Sequence, residues 1–103
     1  MAGARWSKIQ GGITIGQTGS ENGCIVADEE YKSSCRITLE KDCRGIPYGI
    51  TCGIYGLMVH TTYAGDEGEA TQMYEEMKVD LQLFIDSDGG GEAVWCERFT
   101  NKW

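Results

Sequence analysis

The sequence predicts an α+β domain, with an antiparallel sheet of four to five strands and one long helix, at about residues 67–85, packed on one face. Two observations lead to this prediction. Nine isoleucines and eight threonines against only four leucines favour strands over most of the chain. One later stretch carries apolar residues at steps of three and four, which is the spacing of an amphipathic helix.

One domain accounts for the whole chain. A length of 103 residues fits a single compact unit, residues 1–103, and is too short for two. The 16 acidic and 9 basic residues give a formal net charge of −7, and the basic residues form no cluster. Phosphate backbones and anionic lipid surfaces attract basic patches. We therefore expect neither nucleic acid nor a membrane among the partners.

The first third of the chain predicts two short strands. Residues 9–15 hold alternating isoleucines interrupted by Gly11 and Gly12, and residues 23–28 form a second apolar run. Residues 17–23 are rich in glycine and small polar residues, which predicts a turn between the two.

The middle of the chain predicts two further strands. Residues 33–41 alternate between apolar and polar side chains, as in a half-buried strand. The apolar set is Cys35, Ile37 and Leu39, and the polar set is Arg36, Thr38 and Glu40. Residues 49–63 are apolar at both odd and even positions, which predicts the central strand of the sheet.

The helix has the clearest signal. Asp66 and, three residues later, Glu69 resemble a capping box. The apolar positions that follow are Ala70, Met73, Met77, Leu81 and Phe84. On a helical wheel these five residues, together with Tyr74 and Ile85, fill an arc of about 120°, so one side of the helix is expected to pack on the sheet. Residues 86–91, two aspartates, a serine and three glycines, are expected to end it, and residues 93–99 predict a final strand.

The cysteines and the N-terminus favour a cytoplasmic protein. Five cysteines form an odd set without a C-x-x-C pair, which fits reduced thiols better than a disulfide framework. The first residues lack the apolar run of a secretory signal, and no stretch is apolar over the length of a membrane span.

No constellation indicates catalysis. Cys52 and the only histidine, His60, would lie about 26 Å apart along one strand, too far for a nucleophile and its base. The cysteine spacings do not match a zinc site, and the glycines at 49, 53 and 56 lack the lysine of a phosphate-binding loop. We therefore expect no catalytic residue, no metal and no cofactor, and favour a non-enzymatic binding protein.

The acidic charge suggests what such a protein binds. Complementary charge speeds association and selects partners, so a basic protein is the expected partner, for instance a toxin neutralised by an antitoxin or immunity-type protein. Val79 and Leu83 fall on the outer side of the helix wheel. The predicted contact surface is Glu75, Glu76, Val79, Leu83 and Asp86. The alternative is that a C-terminal segment with Trp95 and Trp103 covers the apolar pair.

A second function class is a small-ligand module or minor enzyme with a pocket between the sheet and the helix. Its expected lining is Tyr55, His60, Tyr63 and Tyr74. In either class a homodimer is expected, because a short sheet has two edges and residues 49–63 carry few charges with which to protect one of them.

Overall fold

The computed structural model describes residues 6–87 and 91–103 and confirms the α+β class. Five strands follow one another in an antiparallel meander, each beside its neighbour in the chain. Their bounds are β1 Trp6–Lys8, β2 Cys24–Tyr31, β3 Cys35–Cys43, β4 Ile46–Ile54 and β5 Met58–Ala64. Two helices follow, α1 Glu67–Asp86 and α2 Glu92–Lys102. No helix in the described part of the chain is long and apolar enough to cross a membrane.

The prediction of one central strand over residues 49–63 was wrong, because the chain folds back at a hairpin. Gly56 adopts a φ of +77°, and the amide of Leu57 donates to the carbonyl of Ile54 at 2.9 Å, which closes the turn between β4 and β5. Residues at even positions, such as Ile50 and Ile54, are buried, whereas the apolar residues at odd positions lie in the turn or on an exposed face. The segment is apolar at both odd and even positions because one face of the hairpin is buried and the other face, although exposed, is also apolar.

The predicted strand over residues 9–15 was also wrong. A short 3₁₀ turn, Ile9–Gly12, follows β1, and Gln10, Gly11 and Gly12 all have positive φ. These conformations turn the chain away from the sheet edge and back across one face. The residues that follow are held to β2 by two hydrogen bonds. The amide of Gly16 donates to the carbonyl of Ile25 at 2.8 Å, and the amide of Ile25 donates to the carbonyl of Gln17 at 2.9 Å.

The long helix is confirmed, together with its start signal. The amide of Glu69 donates to Asp66 Oδ1 at 2.8 Å, and Glu69 Oε1 accepts the amide of Gly65 at the same distance. These bonds satisfy backbone donors that a helix start leaves free. Ala70, Tyr74, Met77 and Leu81 form the buried side of α1, which packs on β3, β4 and β5.

The predicted final strand over residues 93–99 was wrong, since this stretch belongs to α2. Trp95, Phe99 and Trp103 follow at steps of four, so they lie on one side of a helix. Trp95 stacks on Phe84 of α1 with ring centroids 4.4 Å apart and on Phe99 at 4.9 Å. This aromatic cluster gives residues 92–102 a buried side as a helix. The predicted turn before it falls partly on residues 88–90, outside the described part of the chain.

The core lies between the sheet and the two helices. Its strand side chains come from alternate positions, including Ile37, Ile50 and Cys52, all of which are almost fully buried. The other side of the sheet, which we call the open face, carries no helix and is partly covered by residues 9–23. Glu40 on this face is also fully buried, and it accepts the amide of Gly23 at 2.9 Å and that of Glu21 at 3.1 Å. Glu40 therefore ties the covering segment to β3.

Candidate functional site

The open face presents its side chains in rows that run across the strands. One row consists of Asp28, Thr38, Thr51 and Thr61, which are cross-strand partners from β2 to β5. The next row consists of Glu30, Arg36, Gly53 and Val59. Each row holds neighbours close enough to interact. The hydroxyls of Thr51 and Thr61, for example, are 3.1 Å apart and hydrogen-bonded.

A groove of about 750 Å³ lies on this face, between residues 14–20 and the β4–β5 hairpin. Gly53 has no side chain, so the main chain at this position forms part of the floor of the groove. Thr38 and Thr51 supply hydroxyls, and Ile25, Leu57 and Val59 supply apolar walls. A groove with apolar walls and a few polar groups has the character and size of a small-molecule site.

An ion pair beside the groove neutralises Arg36, the positively charged residue of its lining. Asp28 is 1% exposed and accepts two hydrogen bonds from Arg36, at 2.8 Å from Nε and 2.6 Å from Nη2, and a third from Thr38 at 2.9 Å. Burial alone would raise the pKa of Asp28, but the hydrogen bonds from Arg36 and Thr38 outweigh it and leave the pKa below its usual value. Arg36 is therefore neutralised by Asp28, so the groove offers hydrogen-bond donors without a free positive charge.

The structure does not bring the four predicted pocket residues together. Tyr55 and Tyr63 lie on the open face, where their hydroxyls donate to Glu30 at 2.6 Å and to Glu21 at 2.7 Å. His60 and Tyr74 lie on the helix side, which is filled by the core. The large groove is thus on the opposite side of the sheet from the predicted one, and Tyr55 is the only predicted residue among its lining residues in the described chain.

The predicted separation of Cys52 and His60 was wrong, again because of the hairpin. The two residues are direct cross-strand partners in β4 and β5. Burial raises the pKa of the Cys52 thiol to about 12 and that of Cys35 to about 11. Both thiols are therefore protonated at neutral pH, and the thiolate is the nucleophilic form. The proximity of Cys52 to His60 does not make a nucleophile and base.

Metal ligands are not clustered either. Within residues 6–87 and 91–103, no three histidine, cysteine or acidic side chains are placed so that they could hold a metal ion.

Most of the predicted contact surface on α1 is exposed. Val79 is 55% and Leu83 65% exposed, and Glu75 and Glu76 beside them are exposed as well. We call these four residues the α1 strip. The alternative, a cover formed by Trp95 and Trp103, is not observed. Trp95 stacks on Phe84, and Trp103 Nε1 donates to Asp80 at 3.1 Å, beside the strip.

Asp86, the fifth predicted contact residue, is engaged elsewhere. Its carboxylate accepts the Tyr31 hydroxyl at 2.8 Å and the Lys32 ammonium at 2.7 Å. The hydrogen bonds from Lys32 and then Tyr31 lower its pKa. Asp86 therefore ties the end of α1 to the β2–β3 turn and is not a free carboxylate at the end of the strip.

Comparison of this chain with protein-family models, with curated proteins and with solved structures finds no significant match. The function is therefore argued from the groove and the α1 strip alone.

Sequence reasoning missed the groove, although part of its signal was visible. The alternation of Arg36, Thr38 and Glu40 placed three polar side chains on one side of β3. Acidic Asp28 lay at the end of the preceding predicted strand, which was a hint of an ion pair across the sheet. The sequence did not reveal the path of residues 9–23. With residues 9–15 predicted as a strand of the sheet, no segment was left to form the wall of the groove that faces the β4–β5 hairpin.

Proposed function

We propose that this chain is a non-enzymatic binding protein and that it binds a basic partner protein through the α1 strip, in the manner of an antitoxin or immunity protein. The observation that carries the proposal is the exposure of Val79 and Leu83 one helical turn apart, with the carboxylates of Glu75 and Glu76 beside them. Apolar anchors at this spacing are how a helix is recognised by a groove in its partner. The carboxylates add attraction and selectivity for a basic surface.

The charges around the strip support the same partner. Lys78 is the basic residue nearest to it on α1, and its ammonium lies 3.8 Å from the Glu75 carboxylate of the strip. Lys78 Nζ lies 2.9 Å from Glu29 and 5.3 Å from the centre of the Trp6 ring. Glu29 is the closer of its two carboxylate partners, so Lys78 offsets Glu75 only in part, and the strip keeps the acidic character of a chain with a net charge of −7.

We also propose a reducing compartment, such as the cytoplasm, as the working environment of the protein. Cys35, Cys43 and Cys52 are buried as free thiols, and the pKa of each is raised chiefly by burial. Buried thiols of this kind serve as small apolar side chains.

The proposal predicts that the double variant Val79→Ser with Leu83→Ser loses binding while the fold stays intact. Exposed substitutions of this kind change stability by about 0.5 kcal/mol or less each. The probe is a synthetic amphipathic peptide with lysines on one side and leucines on the other, and binding is measured by fluorescence anisotropy. We expect at least a tenfold weaker Kd for the variant and weaker binding in high salt.

The matched control for this experiment is Val94→Ser, since Val94 is 54% exposed on α2. We expect it to bind the peptide as the wild type does. A second peptide that carries lysines without leucines tests the contribution of charge alone. It should bind the wild type and the double variant weakly and with equal affinity. Equal affinity of wild type and double variant for the lysine and leucine peptide would contradict the proposal, as would a strongly lowered melting temperature of the double variant.

The groove favours a second candidate function, binding of a small neutral ligand. A neutral compound suits it because Arg36 and Asp28 neutralise each other and the Glu40 carboxylate accepts the amides of Glu21 and Gly23. The other polar side chains of the lining are hydroxyls and the amide of Gln17. A thermal-shift screen should find stabilising neutral compounds and no stabilising anions, since ligand at about a hundred times its Kd adds about 2.7 kcal/mol.

The screen has a direct control in one pair of substitutions. Thr51→Phe places a ring in the groove and should abolish the ligand-induced shift, whereas Thr71→Phe, on the exposed surface of α1, should keep it. A shift that survives Thr51→Phe would place the ligand elsewhere.

A further inference from the structure

We propose that strand β5 pairs antiparallel with β5 of a second copy of this chain, so that two five-stranded sheets become one continuous sheet across a two-fold axis. The expectation of a homodimer thereby acquires a specific surface. In the sheet formed by the described residues, β5 has β4 on one side and no strand on the other. Its outer edge therefore presents main-chain donors and acceptors without strand partners.

Strand β5 lacks the usual features that protect an edge. The seven residues Met58–Ala64 contain no lysine, arginine, aspartate, glutamate or proline, and their register with β4 is unbroken by a bulge. Natural edge strands are normally shortened, charged, bulged or covered. In the described part of the chain the opposite edge follows that rule, because Trp6–Lys8 is short and includes a lysine. Among the described residues the two edges therefore differ, and β5 is the long and uncharged one.

The exposed side chains of β5 complement those of a second β5. Val59 is 79% exposed and Tyr63 46% exposed, both on the open face, with Thr61 midway between them. With the two-fold axis at Thr61, Val59 lies opposite the partner subunit's Tyr63, and Tyr63 opposite the partner subunit's Val59. Aromatic and β-branched residues are favourable cross-strand pairs. If the axis passed through His60 or Thr62 instead, Val59 would no longer lie opposite Tyr63. We therefore expect the register with the axis at Thr61.

The distribution of charge leaves β5 as a place where a second copy can bind. Two chains that each carry a net charge of −7 repel one another over most of their surfaces, and β5 offers a strip without charged side chains where they can meet. Salt screens the remaining repulsion, so this dimer should become tighter as ionic strength rises. An interface held by ion pairs, including one between the acidic α1 strip and a basic partner, would behave in the opposite way.

The dimer would also extend the groove. Val59 lines the groove at its β5 side, and the proposed register places the partner subunit's Tyr63 directly beyond it. The threonine row would continue across the axis as well, from Thr61 to the partner subunit's Thr61. In the proposed dimer the open faces of the two copies therefore form one continuous surface.

The test is a comparison of molecular mass in solution for the wild type and Val59→Lys. Light scattering of the wild type at micromolar concentration should give twice 11.3 kDa, with more dimer at higher salt. Val59→Lys places a charge on the edge and should give 11.3 kDa, with a cooperative melting transition that no longer depends on protein concentration. Val94→Lys introduces the same change on α2 and should remain dimeric.

A positive test uses Thr61→Cys. Cross-strand Cβ atoms lie about 4.5 to 5.5 Å apart, so a short bifunctional cross-linker that alkylates one thiol of each chain should link two Thr61→Cys chains far faster than wild-type chains, which contain only the native cysteines. A monomeric wild type would overturn the proposal, and so would a Val59→Lys variant that stays dimeric. The variant with Val79→Ser and Leu83→Ser should dimerise normally, which separates this surface from the α1 strip.

Discussion

Replacing Arg36 with methionine is expected to destabilise the fold by about 2 to 4 kcal/mol at neutral pH. Asp28 would then keep its charge in a fully buried position without its bidentate partner, with the hydrogen bond from Thr38 still in place. The loss should be somewhat smaller than for a fully buried pair, because the Arg36 side chain is 41% exposed and water can reach the site. Chemical denaturation of both proteins measures the difference.

The effect of Arg36→Met should depend on pH in a defined direction. In the wild type the pKa of Asp28 lies below the ordinary value of 3.8, so its carboxylate stabilises the fold at pH values above 3.8, and this contribution is lost as the pH falls through the lowered pKa. In the variant the uncompensated burial raises the pKa, so protonation relieves the strain at a higher pH. The stability difference should therefore be largest at neutral pH and shrink in acid.

Lys32→Met is the control for this experiment. Lys32 also pairs with an aspartate, Asp86, but both partners are exposed to solvent. Exposed pairs contribute little to stability, so this variant should resemble the wild type at neutral pH. An Arg36→Met variant as stable as Lys32→Met would show that the ion pair on the open face contributes nothing net to the fold.

Replacing Phe99 with alanine should destabilise the protein by about 3 to 5 kcal/mol and release α2 from the core. Phe99 is 3% exposed, stacks on Trp95 at 4.9 Å and meets the edge of His60 at 6.2 Å between ring centroids. It is the only residue of α2 that is fully buried in the described structure. The other contacts of α2, such as Trp95 on Phe84 and Trp103 with Asp80, involve partly exposed residues, so removal of Phe99 should loosen α2 itself as well as destabilise the whole fold.

Hydrogen exchange can separate these two effects. The amides of residues 92–102 should exchange in Phe99→Ala before those of the sheet, and the fluorescence of Trp95 and Trp103 should report exposure to water. Val94→Ala, an exposed position on the same helix, should change stability by about 0.5 kcal/mol or less. Uniform loss of protection across the whole chain would show instead that α2 and the sheet unfold as one unit.

Features with local causes could be predicted from the sequence. The start of α1 depends on Asp66 and Glu69, whose hydrogen bonds span only a single turn of chain. Strand β3 was visible because its buried and solvent-facing residues alternate within one segment. The exposure of Val79 and Leu83 followed from the angular spacing of residues on α1. In each case the physical interaction and its sequence signal lie within a few residues of each other.

Features that depend on distant contacts could not be predicted in the same way. Residues 93–99 are compatible with a strand until Phe84, which lies on the separate helix α1, provides a ring on which Trp95 stacks. The apolar run over residues 49–63 gave no sign of the turn at Gly56, because that run continues on both sides of the turn. Once the turn is in place, it brings Cys52 opposite His60 and creates the groove wall at Val59.

The sequence by itself determined the α+β class, the long helix and its exposed strip, and the acidic charge of the molecule, because these follow from composition and local periodicity. Only the tertiary structure decided where the groove lies, which edge of the sheet is free, and that Arg36 is neutralised by Asp28. The reason is physical: burial and pairing of these groups depend on the path of residues 9–23 and on cross-strand register, and both are fixed by contacts between separate segments.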